Sequence, residues 1–163
     1  MFEIVFLGTA AGVPAVDRGL PALMVLHRER RFLVDCGEGT QRQLLGSGLG
    51  LRRLDCVLLT HGHLDHLLGL GGLAGTMALL DTGDRLTVYG GASALRIVRT
   101  LLTDVVWPEG KSQLEVRTIP IERAPSSKAS ISAWAPSRFD TGGPIRSASL
   151  SRKSRADICD SIG

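Results

Sequence analysis

The stretch Thr60-His61-Gly62-His63-Leu64-Asp65-His66 limits this chain more than any other, because three of its four histidines fall inside six residues beside an aspartate. It follows the apolar run Cys56-Val57-Leu58-Leu59, which reads as the end of a strand. Imidazole and carboxylate are the side-chain ligands that suit zinc and metals of similar softness. His61 and His63 are two residues apart, so on an extended segment leaving a strand both point to one side. Asp65 and His66 follow at once, and the chain must turn between the two pairs. The spacing therefore predicts room for two metals, one on His61 and His63, the other on Asp65 and His66. Such a pair polarises a phosphodiester and activates bound water at neutral pH. The competing reading is a polar loop whose histidines satisfy backbone carbonyls.

His-x-His-x-Asp-His after a short strand resembles the signature of the metallo-β-lactamase fold. The surrounding stretches are similar to its transfer-RNA 3′-processing branch, the ribonuclease Z endonucleases. Three further segments carry the likeness: Phe6-Leu7-Gly8-Thr9-Ala10-Ala11-Gly12-Val13-Pro14, the run from Phe32-Leu33-Val34-Asp35-Cys36-Gly37 to Leu45, and Gly69-Leu70-Gly71-Gly72-Leu73 with Thr76 to Leu80. It runs from Phe2 to about Glu122 and fades afterwards. The resemblance implies an α/β (α+β layered) protein, an αββα sandwich of which this chain supplies mainly the N-terminal half. It also implies zinc, as one or two ions with manganese as an alternative, and precursor transfer RNA as partner. Asp65 would then serve in proton transfer as well as in ligation.

The family completes its site with a third histidine, a bridging aspartate and a final histidine further along. Here no histidine follows His66. Asp140, in Arg138-Phe139-Asp140-Thr141-Gly142-Gly143-Pro144, sits about where the third histidine belongs, and Asp157 or Asp160 is a weaker candidate for the bridge. The expected organisation is one incomplete domain over residues 1–163, with residues 137–163 a divergent or loosely ordered tail. A sheet lacking its partner half exposes an apolar face, which oligomerisation covers; alternatively the chain is a fragment of something longer.

Composition narrows the rest. A length of 163 residues with 44% apolar content supports one sizeable core. Aromatic residues make up only 4%, which argues against base stacking as the main mode of nucleic-acid contact. A net charge of +3 decides little. Its distribution is more telling: Arg146, Arg152, Lys153 and Arg155 lie in a stretch without acidic residues, either a solvated tail or an RNA-backbone contact. Three cysteines, Cys36, Cys56 and Cys159, form no disulfide framework. The chain opens without a basic leader and contains no run long enough to span a bilayer, so a cytoplasmic location is expected.

Apolar patterning predicts strands at Phe2–Leu7, Leu23–Leu26, Phe32–Val34, Asp55–Leu59, Leu86–Tyr89, Leu114–Ile121 and Ser130–Trp134. Three closely spaced strands suggest an antiparallel start instead of alternating strand–helix units. Helices are expected at Gln41–Leu45, capped by Thr40 or Glu38, at Leu67–Leu80 facing inward through Leu70, Leu73, Met77 and Leu80, and at Ala92–Val106. The buried side of the last would carry Leu95, Val98, Leu102 and Val105 or Val106. Small residues in the second could bring that helix close to the metal site.

Around the cluster, Asp35 at a strand end reads either as an acceptor steadying the histidine loop or as a plain turn residue. Thr60 is expected to hold the loop. Gly8, Thr9, Gly37, Glu38, Gly39 and Thr40 are candidates for a cleft whose backbone N–H groups meet phosphate. His27 is expected at the surface with no ligand role. Three functions remain open. One is a zinc-dependent endoribonuclease cutting 3′ of a precursor transfer RNA. Another is a hydrolase of a small phosphodiester, thioester or sulfate ester. The third is a degenerate binding or assembly domain.

Overall fold

The structure, a computed structural model, describes residues 1–110 and 112–121. One sheet has the strand order β1-β2-β3-β4-β5-β6, the order of the sequence. The strands are β1 (Phe2–Gly8), β2 (Ala22–His27), β3 (Arg30–Val34), β4 (Leu54–Leu58), β5 (Arg85–Gly90) and β6 (Glu115–Pro120). β1, β2 and β3 pair antiparallel, as their short connections require. From β3 onward every pair is parallel. Each parallel step needs a crossover, supplied by α1 (Thr40–Gly46), α2 (Gly69–Leu79) and α3 (Ala92–Thr100). The expected antiparallel start thus covers only the first three strands, and alternating strand–helix units follow it.

Register explains the core. Met24 pairs with Leu33, Leu33 with Val57 and Val57 with Val88, so one row of fully buried side chains crosses four strands. Leu44, Leu70, Leu73, Met77, Leu95 and Val98 from the three helices close over it. Burying a side chain of this size contributes about 1.5–3 kcal/mol, which makes this layer the main source of cohesion. The alternate side chains of β1, Phe2, Ile4 and Phe6, are 67%, 56% and 69% exposed. Among the described residues that face stays open.

Several boundaries differ from the sequence reading. The helix expected from Leu67 begins two residues later, at Gly69, after a 3₁₀ turn at Leu64–His66. Leu80 lies beyond the last helical residue with φ −88 and ψ 0, leaves the helical phase and is 59% exposed, so it is not on the buried face. α3 gives way to a π-helical segment, Leu101–Val106. Its wider turn directs Val106 against the core and leaves Val105 67% exposed. Neither Thr40 nor Glu38 caps α1: the N-cap is Gly39 in a left-handed conformation, φ +83, with no side-chain cap. The strand expected at Ser130–Trp134 and the tail at 137–163 lie outside the described residues. No helix among the described residues is long and apolar enough to cross a membrane.

Candidate metal centre

The histidine loop leaves the C-terminal end of β4, where the parallel strands open outward, the usual position for a site in such a sheet. Leu59 N–H still donates to Tyr89 carbonyl at 2.7 Å, so the strand pairing holds until one residue before Thr60. The chain then turns sharply, with His66 N–H donating to His63 carbonyl at 3.1 Å. The turn gathers the rings. The centroid of His61 lies 4.4 Å from that of His63 and 4.0 Å from that of His66.

Asp35 supports this group from below. It is buried at 6% exposure and sits in a left-handed backbone conformation, φ +56. That conformation is unfavourable for most residues, and Asp is among the few that adopt it. Its Oδ1 accepts Thr60 N–H at 2.9 Å, and its Oδ2 accepts the Thr60 hydroxyl at 2.8 Å. The same Oδ2 lies 2.8 Å from His66 Nδ1. A carboxylate only accepts, so His66 Nδ1 carries the proton and Nε2 keeps its lone pair. The Thr60 hydroxyl spends its single proton on Asp35 and therefore accepts from His61 Nδ1, 2.9 Å away. His61 Nε2 is left as an acceptor too. One carboxylate thus sets the tautomer of two histidines.

Asp65 is held differently. Its Oδ2 accepts Gly12 N–H at 2.9 Å and lies 3.7 Å from His66 Nε2. The Gly12 hydrogen bond pulls its carboxyl below the usual carboxylate range, and loss of solvent opposes this.

Close backbone packing joins these parts. Cys36 N–H donates to His66 carbonyl at 2.7 Å, and Gly69 N–H donates to Cys36 carbonyl at 2.9 Å. A Cβ on Gly69 would stand 2.0 Å from Gly37 carbonyl oxygen, and one on Gly37 would stand 2.5 Å from Asp65 carbonyl oxygen. Only glycine fits at either crossing. Cys36, enclosed between them, is buried, and burial pushes its thiol up to about 12.

Some sequence candidates take other roles. Gly37 N–H donates to Pro21 carbonyl and Thr40 N–H to Gly37 carbonyl, at 3.1 and 3.2 Å, and both residues are buried. Their amides are therefore engaged internally and do not line an open phosphate cleft. The Thr40 hydroxyl likewise donates to Gly37 carbonyl at 2.7 Å. Gly8 is a packing position, since a Cβ there would stand 1.9 Å from Leu20 carbonyl oxygen. Thr9, Glu38 and Gly39 are exposed. The small residues of α2 do not approach the histidines: Gly72 meets Gln41, whose amide donates to Thr76, while Gly71 and Gly75 face Val106. His27 is half-buried and stacks on Phe2 with ring centroids 4.1 Å apart, at the far end of β2. Asp140, Arg146, Arg152, Lys153 and Arg155 lie outside the described residues. The contact from Gly12 to Asp65 escaped the sequence reading, although the segment Phe6–Pro14 was singled out for its family likeness.

The donors fit a metal in kind: two imidazoles with Nε2 available, a third imidazole beside them, and a carboxylate held in place. They do not complete its shell. Among the described residues no group of three or more His, Cys, Asp or Glu side chains stands so as to hold an ion.

Residues 18–76 match the Metallo-beta-lactamase superfamily. That stretch carries the histidine loop, and the mixed sheet covered by helices has the metallo-beta-lactamase fold. Within it, the likeness is to ribonuclease Z. The chain is 48% identical over 121 residues to Ribonuclease Z of Bradyrhizobium sp. (strain ORS 278), which covers 74% of this chain and 40% of that protein. It is 47% identical over 89 residues to Ribonuclease Z of Archaeoglobus fulgidus, covering 55% of this chain and 29% of that protein. The crystal structure of human tRNase Z, short form, superposes with a TM-score of 0.60 at 28% identity, over 75% of this chain and 51% of that one. The chain thus spans about two fifths of the length of its bradyrhizobial relative.

Proposed function

We propose that this chain forms the histidine-loop half of a zinc-dependent endoribonuclease that hydrolyses a phosphodiester on the 3′ side of precursor transfer RNA. The observation that carries the reading is the pair of histidines whose tautomers Asp35 sets, His66 directly and His61 through Thr60, with Asp65 beside them. The identity to ribonuclease Z proteins supports the substrate. His61 and His63 would hold one ion, Asp65 and His66 a second, and Asp140 is a candidate further ligand. Zinc bound there supplies Lewis-acid polarisation of a phosphoryl oxygen and activation of water. The residues themselves do the rest. Asp35 and Thr60 keep the imidazole lone pairs outward, and the turn at Leu64–His66 keeps Asp65 within reach of the same region. Asp65 is the carboxylate that the likeness to ribonuclease Z nominates for proton transfer, although the Gly12 hydrogen bond makes it a weaker base than a free carboxylate. A cytoplasmic protein that assembles with itself is part of the same reading.

The test is zinc content after dialysis, with single-turnover cleavage of a 3′-extended transfer RNA precursor, on the wild-type chain and on His63→Ala. Catalytic zinc usually takes three protein ligands, so the wild type is expected to retain at most about one ion per chain. Cleavage should be slow and should depend on Asp65, and His63→Ala should lose both metal and cleavage. Unchanged zinc and turnover in that variant would sink the proposed cluster. Preferential turnover of a small diester would point to the small-ester hydrolase instead. Absence of both metal and cleavage would favour the binding or assembly domain.

A further inference from the structure

Within the connection from β1 to β2, residues 9–19 form a loop with an exposed tip at 11–18 and a neck closed by Ala10 N–H donating to Gly19 carbonyl at 2.9 Å. The tip folds on itself: Val13 N–H donates to Ala11 carbonyl at 2.8 Å, and Ala15 and Arg18 exchange bonds of 2.9 and 3.3 Å. Among the described residues, the tip's hydrogen bonds to the rest of the protein run through Gly12 alone, to Asp65 Oδ2 at 2.9 Å. Gly12 has φ +72, yet a Cβ added there would meet nothing within 4 Å. Glycine is therefore required for its backbone angle and not for space. The main chain of Asp65 is fixed separately, through the close packing of its carbonyl on Gly37. Its side chain is 17% exposed and lies 3.7 Å from His66 Nε2, and the Gly12 amide is the donor that reaches it from the 9–19 loop.

We infer that the Gly12 amide is a positioning donor for Asp65, holding the carboxylate in one rotamer and coupling the 9–19 loop to the histidine loop. What Asp65 does once positioned rests on the proposed nuclease function; the coupling itself does not. A ligand that draws Oδ2 away releases the loop tip, and a loop held elsewhere frees the carboxylate. Loop order and Asp65 orientation rise and fall together.

Amide hydrogen exchange on the metal-free chain tests the coupling. In Asp65→Ala the Gly12 amide should exchange at least about tenfold faster, as expected for loss of a hydrogen bond to a charged group, while Ala10 at the neck keeps its protection. Equal exchange at Gly12 in both proteins would overturn the inference. The positioning role is tested with Gly12→Val, which disfavours positive φ, and Gly12→Asn, which tolerates it. Gly12→Val should lower the single-turnover cleavage rate by about tenfold with RNA affinity unchanged, and Gly12→Asn should recover most of that loss. A wild-type rate in Gly12→Val, or weakened RNA binding at full rate, would overturn the positioning role. If the wild type fails to cleave RNA, the nuclease reading fails while the exchange measurement still decides the coupling.

Discussion

Asp35 combines an unfavourable backbone angle with contacts to three donors, the Thr60 amide, the Thr60 hydroxyl and His66 Nδ1. Left-handed backbone costs about 1–2 kcal/mol for most residues, whereas hydrogen bonds to a charged group return about 1.5–3 kcal/mol each, so the contacts outweigh the strain. Asn adopts the same backbone angle but presents one acceptor oxygen and one donor nitrogen. In Asp35→Asn either Thr60 or His66 must therefore face a donor, and the tautomer at His66 or His61 is no longer held. The variant should fold, with zinc affinity reduced by about 10–100-fold on titration of the metal-free protein. An affinity equal to wild type would leave Asp35 a turn residue only. The motif made the aspartate visible as a strand-end carboxylate. Which side chains it joins was not legible, because Asp35 and His66 are separated by 31 positions.

At the scale of elements, α2 shows why the sequence reading placed the helix well but misjudged its glycines. Alanine in place of glycine inside a helix ordinarily gains about 1 kcal/mol. At Gly75 the nearest atom to an added Cβ is Val106 Cγ1 at 3.9 Å, an ordinary contact, so Gly75→Ala should stabilise by up to that amount. At Gly69 the added carbon would stand 2.0 Å from a backbone oxygen held in the Asp35–Gly37 turn. Steric overlap wins there, and Gly69→Ala should destabilise by about 1–3 kcal/mol or more in urea unfolding. Equal midpoints for the two variants would remove the interlock of Gly37 with Gly69 from the account. Helical periodicity registers both glycines alike, since it records only which face a residue occupies. The partner that distinguishes them belongs to another segment.

For the whole molecule, the face of β1 that stays open among the described residues carries the largest exposed apolar area of the sheet. Phe2, Ile4 and Phe6 are more than half exposed on one edge strand, and exposed apolar area of this kind favours association. On the proposal of self-assembly, light scattering of the 163-residue chain should give a molar mass above that of a monomer. Ile4→Lys combined with Phe6→Lys should return it to the monomer. A monomeric wild type would overturn the proposal of self-assembly.

Local order in the chain determined the donor types, their spacing in Thr60–His66, the positions of the strands and the amphipathic helices. These depend on neighbours in sequence, and covalent geometry carries them. The resemblance in Phe2–Glu122 added the expected architecture. Tertiary structure alone decided that Gly12 reaches Asp65 across 53 positions, that Gly37 and Thr40 spend their amides internally, and that the sheet turns parallel after β3. Each of these depends on which backbone N–H and carbonyl groups meet once the chain is compact. Every residue contributes the same two groups, so side-chain pattern leaves their pairing open and close packing settles it.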